Sequence, residues 1–106
     1  MIELTLSDLE LLLRKYVGEK TPIVAFLVDG KTRVKFGGHI DSVSEVGLVV
    51  KDDEGDFAIF DVSGMQRSLL GDMRDVPPDL GEMSTHYTSA LSLERDNGAI
   101  LTIFEK

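Results

Sequence analysis

The first two thirds of the chain contain closely spaced apolar runs that are rich in β-branched and aromatic residues. Turn-forming residues separate the runs, with Asp29-Gly30 after the first and an acidic stretch over 52–55 before the last. Asp-Gly between such runs is a strong hairpin signal, and several short strands at this spacing are typical of a small antiparallel barrel or sandwich. The pattern predicts strands at about 22–29, 32–43, 46–51 and 56–63.

The second predicted strand is interrupted at its middle by Gly37-Gly38. Paired glycines in a strand mark a bulge or a sharp bend, because the missing Cβ atoms permit close approach of another backbone. A long strand bent at its centre allows a small sheet to fold back on itself and close. We therefore expect a closed barrel of five strands.

One amphipathic helix is predicted before the strands, at about 8–17, because Leu9, Leu12, Leu13 and Tyr16 recur with helical spacing. Ser7 and Glu10 fit a capping box at its start. Gly18 suits the left-handed position that ends many helices. This helix is expected to cover one open end of the barrel.

The last third of the chain predicts a second unit. Residues 64–70 fit either a fifth short strand or a turn of helix, and the Pro77-Pro78 pair disfavours helix within 71–86. Asn97-Gly98 between two apolar runs predicts a hairpin closed by a type I′ turn. The expected organisation is a helix and barrel over 1–70, a linker over 71–86, and an appended C-terminal hairpin over 87–106 that packs on the same domain.

Composition narrows the function classes. The net charge is −8, and residues 1–20, 21–65 and 66–106 each carry more acidic than basic side chains. This balance argues against extended duplex binding but permits a small site for a few single-stranded bases. The absence of cysteine excludes disulfides and thiol chemistry. With no apolar run of membrane-spanning length and no signal pattern, a soluble cytoplasmic protein without membrane contact is expected.

The helix followed by a bent second strand resembles the Sm-like fold, most closely the bacterial RNA chaperones of the Hfq type. Two segments carry the resemblance: residues 21–30, similar to that family's first strand and turn, and residues 38–52, similar to its second strand, loop and third strand. The likeness covers about 13–65. It implies a mainly β fold, a five-stranded Sm-like or SH3-like barrel, homo-oligomeric assembly through free strand edges, and binding of single-stranded RNA.

Carried over by position, the resemblance implies Phe26, Gly30, Lys31 and Phe60 as candidate RNA-binding residues. Phe26 matches the first-strand aromatic that stacks a base, although a phenylalanine in a strand is more often part of a core. Other family positions are altered. Asp61-Val62 stands in place of a Lys-His pair, Val43 replaces a stacking aromatic, and residues 17–20 keep one basic residue of an arginine-rich rim.

Three other patterns carry weaker signals. Residues 42–47 resemble part of the PilZ signature for cyclic dinucleotides, but Arg33 stands alone where paired arginines are needed. The acidic stretch over 52–56 lacks calcium-loop spacing and is better explained as a solvated turn. His39 and His86 have no partners at catalytic or metal-binding spacing.

The sequence therefore predicts no catalytic residues, no metal and no cofactor, and the chain is not expected to be an enzyme. Two functions remain open. The first is a divergent Sm-like module that binds short single-stranded RNA through the Phe26 side of the barrel. The second is an oligomerisation or protein-interaction barrel that has lost RNA binding, with PilZ-like cyclic-dinucleotide binding as a minor alternative.

Overall fold

A computed structural model of the chain describes residues 2–44, 47–72 and 87–106. These residues form one antiparallel sheet and one helix, so the predicted mainly β class is confirmed. In the sheet, the strand order is β1-β6-β7-β8-β2-β3-β4-β5. The elements are β1 (Ile2–Glu3), α1 (Leu6–Glu19), β2 (Ile23–Asp29), β3 (Thr32–Ser44), β4 (Gly47–Lys51), β5 (Phe57–Phe60), β6 (Met65–Asp72), β7 (Ser89–Arg95) and β8 (Ile100–Glu105).

The structure does not show the expected closed barrel of five strands. The C-terminal hairpin is present, but it lies in the middle of the sheet, where β7 pairs with β6 and β8 pairs with β2. Its inner face carries apolar side chains that require burial: Leu91, Leu93, Leu101 and Ile103. Because this hairpin separates β6 from β2, the two strands cannot pair to close a five-stranded barrel, and the sheet is open.

The predicted bend at the glycine pair is confirmed at Gly38. The N-terminal half of β3 pairs with β2 as far as Gly38, and its C-terminal half pairs with β4 from His39 onward. A Cβ atom on Gly38 would overlap the carbonyl oxygen of Lys51. A further irregularity falls at Asp41, between the paired residues on either side. The bend and the bulge turn β4 and β5 over the core, so the open sheet is curved rather than flat.

The core lies between the concave face of the sheet and α1. From the helix, Leu9 and Tyr16 are buried, and Leu12, Leu13 and Val17 pack against the same cluster. The predicted apolar face of the helix is therefore confirmed. The buried strand residues come from six different strands: Ile23, Ala25, Ile40, Leu48, Val50, Phe60, Leu91, Leu93, Leu101 and Ile103.

The helix ends differ from the sequence-based expectation. The N-cap is Thr5, whose Oγ1 accepts a hydrogen bond from the Asp8 amide at 3.1 Å, so the proposed capping box at Ser7 is wrong. The left-handed residue at the C-terminus is Lys20, with φ 49°, and the helix runs through Gly18. Thr5 thus satisfies a free amide of the first helical turn, and the helix begins two residues earlier than the predicted start.

The β7–β8 turn also differs in type from the prediction. In the β7–β8 turn only Gly98 has a positive φ (87°), and the Gly98 amide donates to the Arg95 carbonyl at 3.1 Å. A type I′ turn needs positive φ at both central residues, so this turn is instead a type I turn followed by a glycine bulge. The β4–β5 turn has the same form, because Gly55 has φ 88° and its amide donates to the carbonyl oxygen of Asp52.

A small polar cluster fastens the C-terminal half of α1 to the sheet. The Tyr16 hydroxyl is hydrogen-bonded to Ser89 and Glu105, and Ser89 Oγ donates to a Glu105 carboxylate oxygen at 3.0 Å. Burial, together with the negative charge of Glu105, raises the pKa of Tyr16. The buried hydroxyl is therefore satisfied, and it fixes the helix above β7 and β8.

Candidate binding surfaces

The convex face of the sheet presents Phe26 among three cationic residues. The register places Phe26 directly opposite Lys35, and Val28 directly opposite Arg33. Residues paired across an antiparallel ladder project from the same face. Lys31 lies in the exposed turn between the two strands. We call the group formed by Phe26, Lys31, Arg33 and Lys35 the β2–β3 face.

Phe26 is half-buried because it packs sideways on a second, smaller apolar cluster. Ala90 and Phe104 form the buried part of this cluster, and Tyr87 packs against them together with Phe26. The ring centroids of Tyr87 and Phe104 are 5.4 Å apart. One side of the Phe26 ring is therefore supported by the protein, which holds the ring in place while part of it stays exposed.

The turn between β2 and β3 positions the cations. Gly30 has φ 58° in a two-residue loop, which supplies the positive φ that the turn requires. The Arg33 guanidinium folds back over the turn, where Nη1 donates to the carbonyl oxygen of Gly30 at 2.8 Å. Over residues 29–36 the chain carries three basic side chains and one acid, Asp29. The β2–β3 face is thus a local basic patch on an acidic protein.

Phe60 is not part of this patch. Its side chain is 4% exposed and belongs to the core on the concave face, whereas Phe26 lies on the convex face. The structure therefore brings Phe26, Gly30 and Lys31 together on one hairpin and separates Phe60 from them. A core ring cannot stack a base from solvent, so we remove Phe60 from the candidate residues.

Asp61, which the resemblance places where the Hfq-type proteins have a lysine, has a structural role just after β5. Asp61 accepts a hydrogen bond from the Ser63 amide at 2.9 Å, and the Arg95 guanidinium lies 3.3 Å from its carboxylate. Hydrogen bonds from Ser63 lower the pKa of Asp61, and the bond from its side chain contributes more than the bond from its backbone amide. The positive charge of Arg95 lowers this pKa further. The carboxylate ties the chain after β5 to β7.

The acidic turn between β4 and β5 is ordered by its own backbone. Asp52 Oδ1 accepts hydrogen bonds from the amides of Glu54 and Asp56, both at 2.9 Å. Carboxylate oxygens of Asp52, Glu54 and Asp56 lie within 4.8 Å of one another, close enough to surround a cation. The turn geometry accounts for this proximity, and the solvated-turn interpretation explains the cluster without a metal.

Two grooves adjoin the bent strand. One, of about 580 Å³, lies between α1 and the end of β3 and has Leu13, Val17 and Val43 among its lining residues. The other, of about 330 Å³, lies beside the glycine bend and includes His39 and Lys106. His86 and residues 45 and 46 of the PilZ-like stretch lie outside the described residues.

Sequence reasoning missed an apolar surface on β5. Phe57 and Ile59 are 60% and 54% exposed, and no described strand pairs with the outer side of β5. We call Phe57, Ile59 and the outward backbone of this strand the β5 edge. Phe57-Ala58-Ile59-Phe60 is apolar throughout. The pattern alone could not show which residues face the core or that the strand ends the sheet.

Comparisons of the chain with family models, with curated proteins and with solved structures found no match. Among the described residues, the helix is too short and too polar to cross a bilayer. The features of the described residues that point to a function are therefore the geometry and charge of two surfaces, the β2–β3 face and the β5 edge.

Proposed function

We propose that this chain is a non-catalytic binding module of divergent Sm-like design, and that its β2–β3 face binds short single-stranded RNA. The observation that carries the proposal is the position of Phe26, a supported and partly exposed aromatic ring with Lys35 directly across the ladder. Proteins that bind single strands combine such rings, on which bases stack, with cations that follow the phosphates.

The local charge makes this binding compatible with the net charge of −8. Three cations on one hairpin, Lys31, Arg33 and Lys35, can neutralise about three phosphates, which predicts a slope near −2 for log K against log salt. One stacked base adds about 1–3 kcal/mol. The expected complex is weak, short and strongly dependent on ionic strength, because the remaining surface is acidic.

Fluorescence anisotropy with labelled oligo-A and oligo-U at low salt tests the proposal. Binding should appear in the micromolar range and weaken about 15-fold between 50 and 200 mM salt, as the slope requires. Lys35→Glu should weaken binding about tenfold, since it removes one phosphate contact and adds repulsion. Lys15→Glu changes an exposed lysine on α1 by the same charge and serves as the matched control.

Phe26→Ala tests the stacking contact separately from charge. Binding should fall at least about fivefold at every salt concentration, because stacking is not screened. Circular dichroism shows whether the variant still folds, and Lys35→Glu covers the case in which it does not. No binding of either oligonucleotide at high micromolar protein, or equal losses for Lys35→Glu and Lys15→Glu, would refute the RNA proposal.

One observation favours a second candidate. The exposed apolar β5 edge fits a protein-interaction module that has lost RNA binding. An absence of RNA binding combined with capture of a peptide or a second copy at this edge would favour that function. The two candidates use different surfaces, so each can be tested while the other is intact.

A further inference from the structure

The two edges of the sheet differ in whether another described segment pairs with the strand beside them. At one end, the N-terminal segment covers β6, where Ile2 and Glu3 pair with Leu70 and Leu69, and the Leu4 amide donates to the Ser68 carbonyl at 2.8 Å. At the other end, β5 pairs with β4 and with no other described strand. Natural proteins usually cover or blunt a sheet edge, so an uncovered apolar one is a template for another strand.

The outward hydrogen-bonding groups of β5 can be identified from the ladder. The Asp52 amide donates to the Asp56 carbonyl at 3.0 Å, so these two residues form a hydrogen-bonded pair. Such pairs alternate along an antiparallel ladder, which makes Val50 and Ala58 the next one. The amide and carbonyl groups of Phe57 and Ile59 must then point away from β4, toward the uncovered side.

The side chains of the same two residues extend an apolar stripe to this edge. Val49 lies opposite Ile59 in the register. Phe57 lies two residues before Ile59 and therefore projects from the same convex face. An added strand would therefore meet outward backbone groups and two exposed apolar side chains at once. Backbone bonds would supply affinity, and pockets beside alternate side chains would supply selectivity.

The charges around the edge are mostly negative. Four carboxylates precede β5, from Asp52, Asp53, Glu54 and Asp56. Lys51 is the nearest cation on the neighbouring strand, and its Nζ lies 3.5 Å from the Asp41 carboxylate. At the other end of β5, Asp61 is balanced by Arg95. The uncompensated charge is therefore concentrated at the N-terminal end of the strand.

This charge argues against a second copy as the occupant. Antiparallel self-pairing must keep each side chain on its own face, which is satisfied with Ala58 at the two-fold axis and Phe57 opposite Ile59 of the second copy. The same register places the acidic turn of each copy beside Asp61 of the other. Like charges brought together at both ends oppose the dimer, although the apolar pairs fit.

We propose that the β5 edge binds an extended segment of another protein, added antiparallel to β5. That segment carries apolar residues at alternate positions, which meet Phe57 and Ile59. It carries Lys or Arg residues at its C-terminal end, which in the antiparallel orientation lies beside the acidic turn. The surface is small by the standards of stable complexes, so the affinity is expected in the high micromolar range.

Synthetic peptides test this proposal independently of RNA binding. The probe is the fluorescein-labelled peptide GTVTITKKK, and the comparison peptides are GTVTITEEE and the reversed sequence KKKTITVTG. In fluorescence anisotropy at low salt, the first should bind at least about tenfold more tightly than the second. The reversed peptide should also bind more weakly, because its basic end would lie away from the acidic turn in the antiparallel orientation.

Three variants examine the parts of the contact. Ile59→Pro removes an amide that points away from β4, and Phe57→Ser removes the exposed ring; each should weaken peptide binding at least about fivefold. Asp53→Lys should weaken it about threefold and reduce its salt dependence. Leu11→Ser is the matched control, because Leu11 is 64% exposed but lies on α1.

The proposal is overturned by any of four results. The first is no binding of GTVTITKKK at about 1 mM, near the weak limit of specific association. The second is equal binding of the basic and acidic peptides, and the third is unchanged peptide binding by both edge variants. The fourth is a dimer in light scattering that Phe57→Ser dissociates. The last result would make a second copy the occupant. If Ile59→Pro fails to fold, Phe57→Ser alone decides the contribution of the edge.

Discussion

Phe26 and Phe57 both lie on the convex face of the sheet, yet they are available for binding to very different degrees. Phe26 is on β2, which is paired on both sides, and its ring packs against the Ala90–Phe104 cluster. Phe57 is on β5, at the end of the sheet, and it is 60% exposed. Phe26 is a supported ring on a strand whose backbone is paired on both sides, whereas Phe57 combines an exposed ring with backbone groups that no described strand pairs with.

The charges beside each aromatic differ as much as the burial. The turn after Phe26 brings three cations to one hairpin, whereas the turn before Phe57 brings four carboxylates. The comparison teaches that neighbouring turns, and not the net charge of the chain, set which partners an apolar surface accepts. The predictions below separate the two surfaces, beginning with the change that should affect both.

The largest effect is expected from Gly38→Ala, because the glycine bend joins the β2–β3 face to the half of the sheet that carries β5. The added Cβ would overlap the Lys51 carbonyl, which is backbone and cannot move aside. We expect a loss of at least about 3 kcal/mol in the free energy of unfolding. Urea denaturation measures it.

Gly37→Ala is the matched control for the bend. Its Cβ would meet the Val24 side chain at 3.6 Å, an ordinary contact, so the free energy of unfolding should change by less than about 1 kcal/mol. Similar losses for the two variants would contradict the assignment of the bend to Gly38.

The next largest effect is a difference in the free energy of unfolding between alanine variants of Phe26 and Phe57. Phe26→Ala should cost about 2 kcal/mol, since a half-buried ring loses its contacts with the Phe104 cluster. Phe57→Ala should change the free energy of unfolding by no more than about 0.5 kcal/mol, as is usual for an exposed side chain. Equal losses, measured by urea denaturation, would show that the β5 edge is covered in solution.

Charge reversal should separate the surfaces by ligand. Lys35→Glu is expected to weaken oligonucleotide binding about tenfold, or about 1.4 kcal/mol, without changing peptide binding. Asp53→Lys should do the opposite, weakening the basic peptide about threefold without weakening the oligonucleotide. If each variant weakened both ligands equally, one common surface or a general loss of structure would explain the result better.

The smallest effect concerns the scaffold that the two surfaces share. Because the pKa of Tyr16 is raised in the folded chain, its contribution is fully present below the ordinary tyrosine pKa of 10.0 and is lost as the pH rises above it. Tyr16→Phe should cost about 1 kcal/mol at neutral pH, where it removes hydrogen bonds to Ser89 and Glu105.

Thermal unfolding from pH 7 to 11 measures this dependence. The unsubstituted chain should lose stability above about pH 10 more steeply than Tyr16→Phe, so the difference between them should shrink. A difference that stayed constant across this range would mean that the Tyr16 hydroxyl is not buried in solution. Neither binding surface should change, because Tyr16 belongs to the concave side of the sheet.

Local patterns in the sequence were sufficient for the helix, for β2 to β5, for the C-terminal hairpin and for the bend at Gly38, but they left residues 64–70, which form part of β6, open between strand and helix. These features depend on the spacing of apolar residues and on a missing Cβ, which are properties of neighbouring positions. Cap and turn details were less predictable. Thr5 and Ser7 are both competent N-caps, and Asn97-Gly98 fits more than one turn type, so small energy differences decide between them.

The candidate site was only partly visible from the sequence. The hairpin that carries Phe26, Gly30 and Lys31 follows from Asp29-Gly30, but Lys35 joins the site through the cross-strand register. Phe57 and Phe60 are three residues apart in one apolar run, and alternation places them on opposite faces without saying which face is buried. Burial of Phe60 and exposure of Phe57 depend on how the bent β3 turns β5 over the core.

The sequence by itself determined the helix, the strands β2 to β5 and the C-terminal hairpin, because hydrophobic periodicity acts within a few residues of each position. Only the tertiary structure decided the order of the strands. The C-terminal hairpin lies in the middle of the sheet, between β6 and β2, because both of its strands carry apolar side chains that are buried only when strands pair on each side. Because of that non-local pairing, the sheet is open and not a closed barrel, and β5 lies at an edge that no other described strand covers.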